Sequence, residues 1–197
     1  MRPLKRSRYV AQAGVIAAVY AAATIVVLQL PAQLGWGLIQ FRISEALTVI
    51  ALFTPAAVPG LALGSIAANS YLATQVGLTV AIWDIVFGSL GTFLGAVWTW
   101  RLRRRPMLAL AGPVVTNALI VPAYLPIVLA GLGVYEIPIL GIDVESAWPL
   151  AYLVGVISVA IGQAVVIYGL GLPLVALLKR AGAETLTGPG TSTADER

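Results

Sequence analysis

The residues of this chain that could do chemistry are few, and the densest set is Gln40-Phe41-Arg42-Ile43-Ser44-Glu45. It puts a cation and an anion together at the mouth of an apolar run, Ala-Leu-Thr-Val-Ile-Ala-Leu-Phe-Thr, that reads as membrane-embedded. If the helix starting near Ile43 includes both, Arg42 and Glu45, three apart, project from one face. Ser44 lies near that start, where serine is a common cap. A charge at membrane depth costs roughly 2.5–3.5 kcal/mol on insertion scales, so the default expectation is a functional role. The plain alternative is an ion pair that neutralises itself and marks the helix end. Histidine and cysteine are both absent, which removes imidazole bases, thiolate nucleophiles, disulfides and the usual zinc ligands. The sequence also lacks a Gly-x-x-x-x-Gly-Lys-Ser/Thr stretch, so P-loop ATP hydrolysis is excluded. Binding is therefore expected rather than catalysis, with no cofactor.

Further polar groups lie inside apolar runs. Asp84 stands five residues into one of them, where it either caps a helix, pairs with Arg42 or contacts a ligand. Asn69, Asn117 and Gln163 each carry an amide into apolar surroundings, as interhelical glue or as ligand contacts. Trp36, Phe41, Tyr71, Trp83, Tyr135 and Trp148 fall toward one boundary and suit interface anchors. Combined with carboxylates and amides they would also suit a flat heterocycle, stacked on its faces and hydrogen-bonded at its edge. Two adjacent N–H donors, as on a guanine-like edge, can be accepted together by one carboxylate. Arg42, Glu45 and Asp84 sum to one net negative charge, which favours a cationic ligand.

The elements that position these residues follow from composition. With 59% hydrophobic and 10% charged residues among 197, the chain is an all-α integral membrane protein. Six transmembrane helices are predicted. The first is the uncharged run from Tyr9 to Leu30, too long and too poor in a cleavage site for a secretory signal. A short second span, Ile43 to Phe53, is broken by Pro55 and Pro59 before a third, Gly60 to Val76. The fourth covers Val80 to Trp100, the fifth Pro106 to Ala130, and a loop from Gly131 to Trp148 leads to the sixth, Pro149 to Leu178. The domain reading is a basic N-terminus over 1–8, a transmembrane substrate-binding domain over 9–180 and a disordered cytoplasmic tail over 181–197.

Eleven of the twelve basic residues fall in the N-terminus, the 101–105 cluster and the C-terminal segment, so the positive-inside rule puts both termini in the cytoplasm. Arg42 is the exception. The same map sends Arg42, Glu45, Asp84, Glu136, Asp143 and Glu145 outward, as a site loaded from outside requires. Trp83 at one end of the fourth span and Trp98 and Trp100 at the other fit aromatic belts. The basic residues thus mark topology rather than nucleic-acid binding. Small residues recur at Ala13, Ala17 and Ala21, with Gly14, Ala18 and Ala22 beside them, and at Gly60/Gly64 and Gly91/Gly95. Such spacing allows close helix approach, either inside the bundle or to a partner.

Several stretches, in order and spacing, resemble the QueT family of substrate-binding S components of energy-coupling factor (ECF) transporters. They are Gln40-Phe41-Arg42-Ile43-Ser44-Glu45-Ala46-Leu47, Pro59-Gly60-Leu61 through Asn69, Asp84-Ile85-Val86-Phe87-Gly88-Ser89-Leu90-Gly91-Thr92 and Gly112-Pro113-Val114-Val115-Thr116-Asn117. The resemblance covers Tyr9 to Leu178. It implies a six-helix S-component bundle in a bacterial cytoplasmic membrane that captures a queuosine precursor, a 7-deazaguanine such as preQ1 or queuine. It implies as partners a transmembrane coupling subunit and two cytoplasmic ATPases. It further implies that Ala13, Ala17 and Ala21 contact the coupling subunit and that the loop over Pro31 to Ile39 acts as a lid. The substrate-binding set expected on this reading is Trp36, Phe41, Arg42, Glu45, Asn69, Asp84, Asn117 and Gln163. Where similar proteins often carry Gly-Glu in the sixth helix, this chain has Gly162-Gln163, which removes one charge if that position faces the ligand. An S component for another vitamin-like heterocycle, a stand-alone secondary transporter and a metal-using membrane enzyme built on Asp84 are the competing readings.

Overall fold

A computed structural model describes residues 6–29, 42–131, 133, 136–137, 142–143 and 147–183. Trp36, Phe41, Tyr135, Glu145, the lid expected over 31–39 and the tail from 184 onward lie outside the described residues.

The first helix, Arg6–Leu28, is already formed three residues before the apolar run begins. Hydropathy marks where lipid starts, whereas arginine is a good helix former and carries the hydrogen-bonded spiral outward. The second element, Ile43–Leu52, is a 3₁₀ helix. At about 2.0 Å per residue its ten residues cover about 20 Å, short of a hydrocarbon core of about 30 Å. The chain then turns through Thr54, which is buried and uses its hydroxyl twice, accepting from the Ala56 N–H at 3.3 Å and donating to Gln12 Oε1 at 3.1 Å. Irregular backbone is tolerated at membrane depth only when protein covers it in this way. The third helix, Ala57–Val76, starts earlier than the prolines suggested: Pro59 sits in its first turn, where a missing N–H costs nothing.

Gly77, at φ 85°, ends the third helix and precedes the fourth, so a single left-handed residue makes the hairpin. The fourth helix runs Leu78–Arg101 and contains a π turn at Asp84–Gly88. The fifth, Pro106–Gly131, holds Pro113, Pro122 and Pro126. A proline frees the carbonyl four residues earlier. For Pro113 that is Ala109, whose oxygen accepts from Thr99 Oγ1 of the fourth helix at 3.1 Å. A short antiparallel pair, β1 Glu136–Ile137 and β2 Ile142–Asp143, precedes the sixth helix, Trp148–Arg180, which has a π segment at Val165–Gly171.

Four of these helices, the first, fourth, fifth and sixth, are long and apolar enough to cross a membrane. The third has the length, but Ser65, Asn69, Ser70, Thr74 and Gln75 dilute its apolar character. Bulky aliphatics are exposed on every long helix, Val15 and Val26 on the first and Leu119 and Leu153 on the fifth and sixth among them. Lipid solvates such a surface at no cost, whereas water would not.

Close approach is written in the small residues. A Cβ on Gly60 would lie 2.8 Å from the Ala13 carbonyl oxygen, and one on Gly64 would lie 2.7 Å from that of Ala17. The Ala13/Ala17 stripe thus packs against the third helix, with Ala13 buried and Ala17 and Ala21 half-buried; Gly14, Ala18 and Ala22 beside it are exposed. Gly95 meets Pro113 Cα at 2.7 Å in the same sense, joining the fourth helix to the fifth. The apolar core falls into three groups: Ile16, Tyr20 and Leu61 between the first and third helices; Val49, Leu110 and Ile167 around the second; Val121, Tyr124 and Val159 between the fifth and sixth.

Candidate binding site

Glu45 is fully buried at 0% exposure, and hydroxyls rather than a cation satisfy it. Tyr20 donates to Oε1 at 2.5 Å, Thr92 donates to the same oxygen at 3.1 Å, and Thr48 donates to Oε2 at 3.3 Å. The first and fourth helices are thereby tied to the second through one carboxylate. Arg42 is not on the same helical face as Glu45, as the spacing had suggested. It precedes the 3₁₀ helix with φ −76° and ψ 84°, and its Nη2 donates to Asn69 Oδ1 at 2.9 Å. The self-neutralising pair is therefore not what forms, because the helix starts one residue too late to include the arginine. Ser44 does not cap it either: no side-chain cap exists, and Ser44 Oγ accepts from Thr24 Oγ1 at 2.7 Å.

Asn69 is the hub on the third helix. Besides accepting from Arg42, its Nδ2 donates to the Asp84 backbone carbonyl at 2.7 Å, with Ser65 and Ser89 hydroxyls each at 3.4 Å. The π turn supplies that carbonyl. The Ser89 N–H reaches back five residues to the Asp84 oxygen, and the widened turn leaves the oxygen open to a second donor. Asp84 is no cap, since the fourth helix starts at Leu78; it lies in the helix interior, 8% exposed. Its Oδ1 accepts from Tyr124 Oη at 2.6 Å. Phe87 packs beside Tyr124, with ring centroids 6.0 Å apart, and Trp83 stacks on Phe87 at 5.8 Å.

Gly88 lies at the centre of these groups. A Cβ there would sit 3.0 Å from Tyr124 Oη, 3.2 Å from Asp84 Oδ1 and 3.3 Å from Asn69 Nδ2. Gly91, one turn along, bears in the same way on Asn117, whose Oδ1 is 2.6 Å from the Cβ position. Asn117 Nδ2 and Oδ1, Ser158 Oγ and Gln163 Oε1 are buried and have no hydrogen-bond partner among the described residues. Such atoms are rare in folded proteins, and each calls for an explanation. An apolar groove of about 380 Å³ between Ile66, Val86 and Phe93 opens elsewhere, on the lipid-facing side, and has no charge to offer a ligand.

Of the expected binding residues, the structure thus gathers Arg42, Asn69 and Asp84 into one hydrogen-bond network and Glu45 into a second, both reaching the fourth helix, and sets Asn117 against that same helix. Gln163 is buried on the sixth helix, and Trp36 and Phe41 lie outside the described residues. Sequence reasoning passed over Tyr20, Thr48, Thr92 and Tyr124. A tyrosine in mid-span was the available signal for two of them, because a buried phenol needs a partner.

The family model described as the QueT transporter matches residues 10–180. The chain belongs to the QueT transporter family. Comparison with curated proteins and with solved structures gave no match. For a QueT transporter the arrangement is chemically coherent. Two buried carboxylates and one guanidinium stand within a bundle whose outside is apolar, and membrane transporters keep charges inside for the solute.

Proposed function

We propose that this QueT transporter is the substrate-binding S component of an ECF-type importer and captures a queuosine precursor, preQ1, queuine or a related 7-deazaguanine. The observation that carries the reading is the set formed by the buried Glu45 and Asp84 with the half-buried Arg42, whose formal charges leave one negative charge for a ligand to meet. Glu45 and Asp84 accept from the base edge or from an aminomethyl cation, while Arg42 and Asn69 hold the wall between them. Asn117 and Gln163 complete the polar edge contacts, and Phe41 or Trp36 stacks on the heterocycle. Release to the cytoplasm is driven by ATP on two partner ATPases joined through a transmembrane coupling subunit, since this chain has no P-loop of its own. The bundle sits in a bacterial cytoplasmic membrane, crossing it with six helices and leaving both termini inside.

The test is calorimetric titration of the purified chain in detergent with preQ1, queuine, guanine and thiamine. Tight binding of a 7-deazaguanine supports the proposal. Binding of thiamine alone would retain the architecture and discard the cargo, and uptake into vesicles on an ion gradient without ATP would discard the importer.

A further inference from the structure

Asn117 is fully buried at 0% exposure, and neither Nδ2 nor Oδ1 has a hydrogen-bond partner among the described residues. Leaving both ends of an amide unpaired inside an apolar bundle is costly, and the cost is recovered when a visiting group pairs with them. The position of that amide is tightly defined. Its Oδ1 lies 2.6 Å from where a Cβ on Gly91 would stand, so the side chain occupies the space that glycine leaves on the fourth helix. Gly88, three residues earlier on the same helix, is flanked by Tyr124, Asp84 and Asn69, and Thr92, the next residue after Gly91, donates to Glu45. The free amide therefore packs on the same stretch of the fourth helix that bears on both carboxylates of the candidate site.

We infer that Asn117 is a specificity residue that reads a lactam edge of the ligand, and that Gly91 is the positioning residue that gives it room. The carboxylates can only accept hydrogen bonds, so they take amines and donor-only edges. An amide with one free donor and one free acceptor matches a ring N–H beside a carbonyl, with Nδ2 donating to the carbonyl oxygen and Oδ1 accepting from the N–H. The inference rests on the binding-subunit reading above and adds which part of the heterocycle is sensed, and from which helix.

The experiment compares the affinities of 7-deazaguanine and 2-amino-7-deazapurine, which lacks the carbonyl and the ring N–H, for the full chain in detergent. A preference for the lactam of about tenfold to a hundredfold is expected for the unaltered protein, from the cost of leaving a buried amide unpaired. In Asn117→Leu the preference should collapse to within about threefold, because nothing remains to sense the edge. Gly91→Ala should also lower it while thermal unfolding stays close to that of the parent, since the obstructing atom is the end of a side chain that can swing aside. A preference unchanged in Asn117→Leu overturns the inference and leaves the binding-subunit reading standing. Should Asn117→Leu not fold, Gly91→Ala decides by the same ratio. Failure of the unaltered chain to bind either compound, or preQ1, overturns the reading and this inference with it.

Discussion

Glu45 and Asp84 are both buried carboxylates, yet neither has the arginine as its hydrogen-bond partner; tyrosines and threonines hold them instead. Hydroxyl donors stabilise a carboxylate without cancelling its charge, which leaves attraction available for a cationic solute. Glu45→Gln should therefore weaken preQ1, with its aminomethyl cation, by about tenfold or more, as loss of a charge-assisted hydrogen bond does. Neutral 7-deazaguanine should lose less. Titration of both ligands checks this, and equal losses would place the cation elsewhere. Tyr124→Phe removes the donor to Asp84 Oδ1 and should cost about 1–3 kcal/mol of stability. Thermal unfolding in detergent reads it; an unchanged midpoint would mean that water replaces the phenol. Both carboxylates could be picked out of the sequence as charges in apolar runs. Their partners could not, because Tyr20 and Thr92 lie 25 and 47 residues away from Glu45, and spacing along a helix says nothing at that range.

Helix by helix, the bundle depends on close backbone contacts that glycine permits. Gly64→Ala would push a Cβ to 2.7 Å from the Ala17 carbonyl oxygen and should cost about 1–3 kcal/mol, as overpacking does. Gly14, on the same first helix, has nothing within 4 Å, so Gly14→Ala should be neutral or slightly stabilising. Unfolding midpoints of the two variants give the contrast directly, and equal midpoints would refute the packing account. Thr99→Val should strand the carbonyl that Pro113 frees at Ala109, with a loss of about 1–3 kcal/mol on the same assay. At this scale the sequence was informative about existence and poor about type. The apolar runs located every long helix within a few residues, and Pro55 marked the break between the second and third elements. Nothing in Ile43–Leu52 announced a 3₁₀ winding, and nothing near Asp84 announced a π turn. Both carry hydrogen bonds to partners far off in sequence, from Thr92 to Glu45 in the one and from Asn69 to the Asp84 carbonyl in the other.

For the molecule as a whole, the membrane class followed from composition and its all-α character from the long apolar runs, and the family match over residues 10–180 agrees with both. The packing partner of each small-residue stripe was not accessible in advance. Ala13 and Ala17 carry the same spacing as Gly14 and Ala18, and only the placement of Gly60 and Gly64 decides which stripe faces inward. The Glu45 bonds from Tyr20 and Thr92 bear on the history of such a protein as well as on its chemistry. On the binding-subunit reading proposed above, the clasp joining three helices also serves the solute, so a substitution that alters what is recognised also alters how firmly the chain is folded. Drift toward a new cargo would then require compensating changes far from the ligand, with new packing between the first and third helices an available source.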